Sequence, residues 1–167
     1  MKRLSDKSIL VVDDDIRMLR ALNKVLTGEG ASVTTAQWAG DAVDFLTARQ
    51  KRVDLVITDL RMPLVNGMTV VFAIHNIFPT LPVVVLTAFG SPDVKAECLR
   101  QGAAVLLEKP LNTSQLLEVI ERVFASHPVG LEPAGTGDRE NDSIVTGSME
   151  MNNSGRHRHS PREKGLI

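Results

Sequence analysis

The residues best equipped for chemistry each follow a short apolar run. They are three consecutive acids, a further acid, a hydroxyl and an amine: Asp13, Asp14, Asp15, Asp59, Thr87 and Lys109. Carboxylates brought close together repel one another and resist desolvation, so a nearby cation has to compensate their charge. Mg²⁺ suits such oxygen ligands, usually through one or two carboxylates, several waters and a phosphate oxygen. The set therefore indicates metal-assisted phosphoryl chemistry.

Each residue type in this set suggests a role. We expect Asp14 and Asp59 to bind the metal, with Asp13 acting directly or through water. The Lys109 ammonium can pair with Asp59 and then with a phosphoryl oxygen, and the Thr87 hydroxyl can donate to another. Carboxylates are known nucleophiles that form acyl phosphates, and positioning and charge neutralisation carry most of phosphoryl transfer. The predicted reaction is in-line attack by Asp59 on a phosphodonor, followed by loss of the phosphoryl group to water.

The apolar runs that precede these residues predict the strands of a buried parallel sheet. Four are almost continuous in Val, Ile and Leu, at residues 8–12, 55–58, 81–86 and 103–107. Such runs are typical of strands covered on both faces. A fifth run at 31–36 alternates more and predicts a strand nearer an edge.

Segments with helical spacing lie between the strands, at about 16–28, 39–50, 66–76, 92–101 and 113–126. We expect the first helix to end at Gly28 as a left-handed C-cap, and the last to be capped by Asn112 or Thr113. The alternation predicts an α/β fold, a doubly wound parallel sheet with helices on both faces. Since the carboxyl ends of parallel strands share one edge, the polar set should converge there.

Composition limits the remaining possibilities. A formal net charge of -1 supplies no basic field for nucleic acid or an anionic membrane. Residues 7–126 should form one domain, whereas residues 127–167 are rich in Gly and Pro, have no aromatic residue and are predicted to be disordered. We expect no helix-turn-helix output domain in this tail.

The single cysteine, Cys98, cannot form an internal disulfide. Neither a secretory signal nor an apolar run of membrane-spanning length is evident, which predicts a cytoplasmic protein.

Four strings carry a family resemblance, in this order along the chain: ILVVDDD, DLVITDLRMP, VVVLTA and LLEKP. Together they resemble the CheY-like receiver domains of two-component response regulators over about residues 7–126. The resemblance implies a flavodoxin-like sheet of order 2-1-3-4-5 and a cis Lys109-Pro110 bond. It implies Asp59 as phosphoacceptor, Asp13 and Asp14 as the acidic pair, Thr87 and Lys109 as switch residues, and the Arg61 carbonyl as a further metal ligand.

The resemblance also implies cofactor and partners. The metal would be Mg²⁺, with Mn²⁺ as an alternative. The phosphodonor would be a sensor histidine kinase or a histidine phosphotransfer protein. A downstream protein would read the surface of the fourth helix, fifth strand and fifth helix, and phosphorylation could drive homodimer formation. The chain would catalyse only its own phosphorylation and dephosphorylation and would not act as an enzyme on other substrates.

Two positions set this chain apart. Leu106 stands where the family commonly has Tyr or Phe, so a rotating ring is not available for signalling. Arg61 borders the expected pocket and should tune how fast water reaches the phosphoryl group, while Phe89 is a candidate cover for the pocket mouth.

Two other functions use the same fold. An aspartyl phosphatase would need a second carboxylate at the position of Arg61. A flavin or nucleotide-binding module would need glycines or hydroxyls in the first loop, where this chain has three acids.

Overall fold

The computed structural model describes residues 2–48, 51–63 and 65–127, in which five strands alternate with five helices. The strands are β1 Ser8–Val12, β2 Ser32–Ala36, β3 Leu55–Asp59, β4 Val83–Thr87 and β5 Val105–Glu108. The helices are α1 Ile16–Gly28, α2 Ala39–Ala48, α3 Gly67–Ile77, α4 Pro92–Arg100 and α5 Thr113–Ser126. Apart from His127, which caps α5, the predicted disordered tail lies outside the described residues.

All neighbouring strands pair in parallel, in the order β2-β1-β3-β4-β5. This confirms the predicted fold class. It also confirms an edge position for β2, whose mixed burial contrasts with the complete burial of β3 and β4. The Lys109-Pro110 peptide is cis.

The sheet separates two hydrophobic cores. Helices α2, α3 and α4 cover one face, with Leu46, Ile74 and Cys98 among their buried residues. Helices α1 and α5 cover the other, through residues such as Leu22 and Ile120. Both faces of the central strands are therefore dry, which explains their continuous Val, Ile and Leu content.

The end of α1 differs from the prediction. Gly28 is the last helical residue and Glu29 is the C-cap, whereas the glycine with a left-handed backbone is Gly30, with φ 96°. The predicted left-handed cap at Gly28 is wrong because the helix continues for longer before the chain reverses.

The start of β4 also lies later than predicted. The Leu81 amide donates to the Phe78 carbonyl over 3.0 Å, so Leu81 belongs to the turn after α3. Leu81 is nevertheless buried, and its apolar character reflects packing instead of strand pairing.

The amino ends of β1 and β3 are tied together by Asp54. This buried carboxylate accepts a hydrogen bond from the Ser8 amide (2.8 Å) and one from Arg52 Nε (2.7 Å). The Asp54 carboxylate thus joins the two adjacent strands at the end of the sheet opposite Asp13, Asp59 and Lys109.

The segment before β1 is attached to α5 near the same end. Arg3 donates to both carboxylate oxygens of Glu121, at 2.8 and 2.6 Å, and Lys7 Nζ lies 4.9 Å from the centre of the Phe124 ring. Leu4, between them, is fully buried. No helix within residues 2–48, 51–63 and 65–127 has the length and apolar content needed to cross a membrane.

Candidate functional site

Lys109 joins two acids that are far apart in sequence. Its Nζ donates to Asp13 Oδ2 over 3.1 Å and to Asp59 Oδ1 over 2.6 Å. Asp59 is the last residue of β3, while Asp13 and Lys109 directly follow β1 and β5. The side-chain exposures are 2% for Asp13, 8% for Asp59 and 20% for Lys109. The carboxyl edge of the sheet therefore carries a nearly buried cluster of two acids and one amine.

Backbone amides hold the remaining carboxylate oxygens. The Asp15 amide donates to Asp13 Oδ1, and the Arg61 amide donates to Asp59 Oδ2, each over 2.8 Å. Both carboxylates are thus fixed by one amide and one ammonium. Asp15 also caps α1 by accepting from the Arg17 amide, which makes it a helix-capping residue.

Burial and charge act in opposite directions in this cluster. Burial raises the pKa of Asp13 above its usual range, although the Asp15 amide and the Lys109 ammonium act to lower it. Burial would lower the pKa of Lys109, but its hydrogen bonds to Asp59 and Asp13 outweigh this effect and raise it. Lys109 therefore remains a cation at neutral pH.

Asp14 lies beside this cluster without joining it. Its side chain is half-buried and makes no hydrogen bond or ion pair with any other described residue. Across the described part of the chain, no group of three His, Cys, Asp or Glu side chains is placed to hold a metal ion.

The chemistry of the donors nevertheless fits Mg²⁺. This ion typically uses only one or two carboxylates and keeps several waters, so a complete protein cage is not required. Asp13, Asp14 and Asp59 offer carboxylate oxygens of the required type. The Arg61 backbone, which forms an isolated antiparallel bridge with Asn66, offers a carbonyl on the loop between β3 and α3.

Thr87 points into its own loop. Its hydroxyl donates to the Phe89 carbonyl and accepts from the Phe89 amide, both at 3.2 Å. The side chain is fully buried, and among the described residues it has no hydrogen bond to the acids. The Lys109 amide donates to the Thr87 carbonyl over 2.7 Å, so the backbones of these two residues are nonetheless connected.

Gly67 is a positioning residue that the sequence analysis did not identify. It opens α3, and a Cβ there would overlap the backbone of Asp59 and Leu60. Its amide donates to the Leu60 carbonyl over 2.8 Å, while Asn66 caps the helix. Only a glycine lets α3 begin this close to the acid. The Asn-Gly pair before an apolar helix was the available sequence signal.

Arg61 and Phe89 lie two residues after Asp59 and Thr87, and their side chains meet beside the crevice, the part of the carboxyl edge where Asp13, Asp59 and Lys109 cluster. The guanidinium carbon lies 4.9 Å from the ring centre, within the range of a cation–π contact, and Phe89 is 67% exposed. The pair connects the loop after β3 to the loop after β4.

Leu106 occupies the core. It is 6% exposed and lies opposite Val85 in the β4–β5 register. Its aliphatic side chain packs with the α2–α3–α4 core, so this position contributes packing and has no ring to reorient.

Comparisons with known proteins agree with this architecture. The family described as "Response regulator receiver domain" matches residues 9–121. The transcriptional regulatory protein GlrR of Escherichia coli (strain K12) is 38% identical over 144 residues, which are 86% of this chain and 31% of GlrR. The chain thus spans about a third of the length of this curated relative.

Solved structures show the same likeness. A response regulator receiver domain protein from Clostridium thermocellum superposes with a TM-score of 0.68 at 30% identity, covering 72% of this chain and 95% of that chain. The beryllofluoride-activated NtrC4 receiver domain dimer gives a TM-score of 0.66 at 28% identity, covering 72% of this chain and 98% of that chain.

Proposed function

Because the chain belongs to the response regulator receiver family of two-component signalling, in which an aspartate is phosphorylated, we propose that Asp59 is the phosphoacceptor. The observation that carries this proposal is the bridging of Asp59 and Asp13 by the Lys109 ammonium. Two carboxylates and a cation thus lie together at one sheet edge, which supports a nucleophilic role for Asp59. The domain would extend over residues 7–126.

Magnesium binding is typical of this family. We propose that Asp13, Asp14, Asp59 and the Arg61 carbonyl hold Mg²⁺, with Mn²⁺ as an alternative. When bound, the ion would neutralise charge on the phosphoryl oxygens and help to align the phosphodonor.

In the proposed reaction a carboxylate oxygen of Asp59 attacks phosphorus in line with the leaving group. The new O–P bond forms as the bond to the donor breaks, and the donor atom keeps the electron pair and takes a proton. Lys109 exchanges its contact with Asp59 for one with a phosphoryl oxygen. The Thr87 hydroxyl leaves Phe89 and donates to another phosphoryl oxygen.

Loss of the phosphoryl group requires water to attack the same phosphorus atom, releasing inorganic phosphate and restoring the Asp59 carboxylate. Arg61 follows Asp59 by two residues and contacts Phe89, so this pair borders the proposed site. We infer that this pair slows hydrolysis and sets the lifetime of the signal.

The proposed partners follow from the family. Receiver domains interact with histidine kinases or phosphotransfer proteins, and one of these would supply the phosphoryl group. The output would be a protein partner that binds the α4-β5-α5 surface, with no nucleic acid or membrane contact, and the site of action would be the cytoplasm. The NtrC4 dimer supports homodimer formation on phosphorylation as a further step.

The test is stoichiometric labelling. Acetyl phosphate with Mg²⁺ should add one phosphoryl group per chain, seen by intact-mass spectrometry, and Asp59→Asn or chelation of the metal should abolish it. Asp93→Asn, a change to an exposed acid on α4, is the control and should label normally. Equal labelling of the Asp59→Asn variant would reject the assignment.

The same experiment separates a receiver from an aspartyl phosphatase. Receiver domains are signalling domains, and the comparisons indicate no enzyme family. Arg61 occupies the position where an aspartyl phosphatase would carry its second carboxylate. Steady turnover of an external phosphoester, far beyond one equivalent per chain, would favour the phosphatase.

A further inference from the structure

The outer edge of β2 has no strand partner within residues 2–48, 51–63 and 65–127. Among the described residues β2 pairs only with β1, and the Ser32 amide donates to the Lys7 carbonyl over 2.8 Å. Alternate residues of a parallel strand direct their backbone groups to the same neighbour. Val33 and Thr35 therefore direct their N–H and C=O groups away from β1, where an added strand could pair with them.

A groove runs beside this edge, and large apolar side chains form part of its walls. It has a volume of about 620 Å³ and is lined by Ile16 from α1 and by Trp38 and Phe45 from the α2 side. Ile16 is 47% and Trp38 49% exposed, a high exposure for such large apolar side chains. The open backbone edge thus lies between two elements that offer apolar surface.

The α1 wall of the groove also carries a positive charge. Arg20 lines it, and Lys24 lies one turn further along the same helix. Neither has an ion-pair partner among the described residues, whereas Arg17 is paired with Asp15. The α2 wall carries Asp41, which disfavours acidic groups on that side.

We propose that the open edge of β2 and this groove bind an extended segment of a protein partner in which acidic and apolar residues alternate. Paired with Val33 and Thr35, such a segment directs successive side chains to opposite faces of the sheet. Its acidic side chains meet Arg20 and Lys24 on the α1 face, and its apolar side chains meet Trp38 on the α2 face. The charge of the α1 wall selects this chemistry. None of the residues that line the groove is among the proposed phosphorylation-site residues.

The probe is a fluorescein-labelled peptide of alternating glutamate and valine, titrated with the full chain and followed by fluorescence anisotropy. Saturable binding below about 1 mM is expected. A peptide of alternating lysine and valine should bind at least about tenfold more weakly, because Arg20 and Lys24 repel it. Absence of saturable binding by the acidic peptide, or equal binding by both peptides, overturns the proposal.

Thr35→Pro tests the backbone pairing. Proline removes the outward N–H at this position and leaves the hydrogen bonds to β1 intact, so binding should weaken about fivefold or more. Thr35→Val retains the N–H and is the matched control. Labelling by acetyl phosphate should be the same in all these proteins, which shows that the fold is preserved. Unchanged affinity in Thr35→Pro contradicts strand addition.

Three further measurements locate and identify the occupant. NMR amide shifts of Val33 and Thr35 should move on addition of the peptide, and Arg20→Glu should weaken binding about tenfold. Shifts confined to other residues argue against the site. Sedimentation of the full chain should show no dimer that depends on the β2 edge, that is, no dimer that is lost in the Thr35→Pro variant. Such a dimer would make a second copy the occupant and would overturn the proposal of a partner segment.

Discussion

Replacing Lys109 by methionine tests how the buried acids of the crevice are neutralised. Methionine has a similar length but no charge, so the variant loses the hydrogen bonds to Asp13 and Asp59 at 3.1 and 2.6 Å. Hydrogen bonds to charged groups contribute about 1.5–3 kcal/mol each, and an uncompensated buried charge costs about 3–5 kcal/mol. Both carboxylates keep one backbone amide each, and Lys109 is 20% exposed, so the cost of leaving the acids unpaired should lie near or below the lower end of the about 3–5 kcal/mol range.

We therefore expect the free energy of unfolding to fall by about 2–4 kcal/mol at neutral pH in the presence of EDTA. With a urea m-value of about 2 kcal/mol/M, the midpoint should decrease by roughly 1–2 M. The assay is urea unfolding followed by circular dichroism. Lys95→Met, which changes an exposed lysine on α4, is the control and should stay within about 0.5 kcal/mol of the parent protein.

A double-mutant cycle assigns the loss to the acid pair. Asp59→Asn removes one negative charge from the cluster, so its combination with Lys109→Met should cost less than the sum of the two single changes by about 1–3 kcal/mol. An unchanged midpoint for Lys109→Met in EDTA would refute the reasoning. Strict additivity with Asp59→Asn would also show that the ammonium does not neutralise that acid.

Three other outcomes can be measured independently. Gly67→Ala should lower the free energy of unfolding by about 2–4 kcal/mol because its Cβ overlaps backbone, while Gly40→Ala in α2, which meets no atom within 4 Å, should be neutral or stabilising by up to about 1 kcal/mol. Burial raises the pKa of the Cys98 thiol, so in urea-free buffer at pH 8 its reaction with Ellman's reagent should be slow, and it should become fast on unfolding. Phe89→Ala should shorten the lifetime of the acyl phosphate several-fold, because it removes the ring that contacts Arg61 beside Asp59 and gives water easier access. The lifetime is measured as the loss of label after removal of the phosphodonor. An unchanged lifetime would show that the ring does not limit hydrolysis.

The parts of the site that depend on topology could be predicted from the sequence. Val, Ile and Leu runs identify buried parallel strands, and residues after such strands must share an edge. Asp13, Asp59 and Lys109 follow three of these runs, so their approach required no knowledge of side-chain positions.

The parts that depend on local packing could not be predicted in this way. The Thr87 hydroxyl hydrogen-bonds to Phe89 within its own loop instead of to the acids, and a sequence does not state which partners a hydroxyl contacts. The need for Gly67 appears only when the start of α3 is seen against the backbone of Asp59. Similarly, Gly28 and Gly30 are both near the end of α1, and the length of the last turn decides which one adopts the left-handed conformation.

The ties at the amino ends of the strands have a consequence for motion. Asp54 secures β1 to β3, and Arg3 secures the leading segment to α5, both at the end of the sheet remote from the crevice. Local opening is easiest where few contacts cross between segments. These ties resist opening in the half of the domain opposite Asp59, so under the proposed function that half would serve as a fixed frame for any phosphorylation-linked change near Asp59.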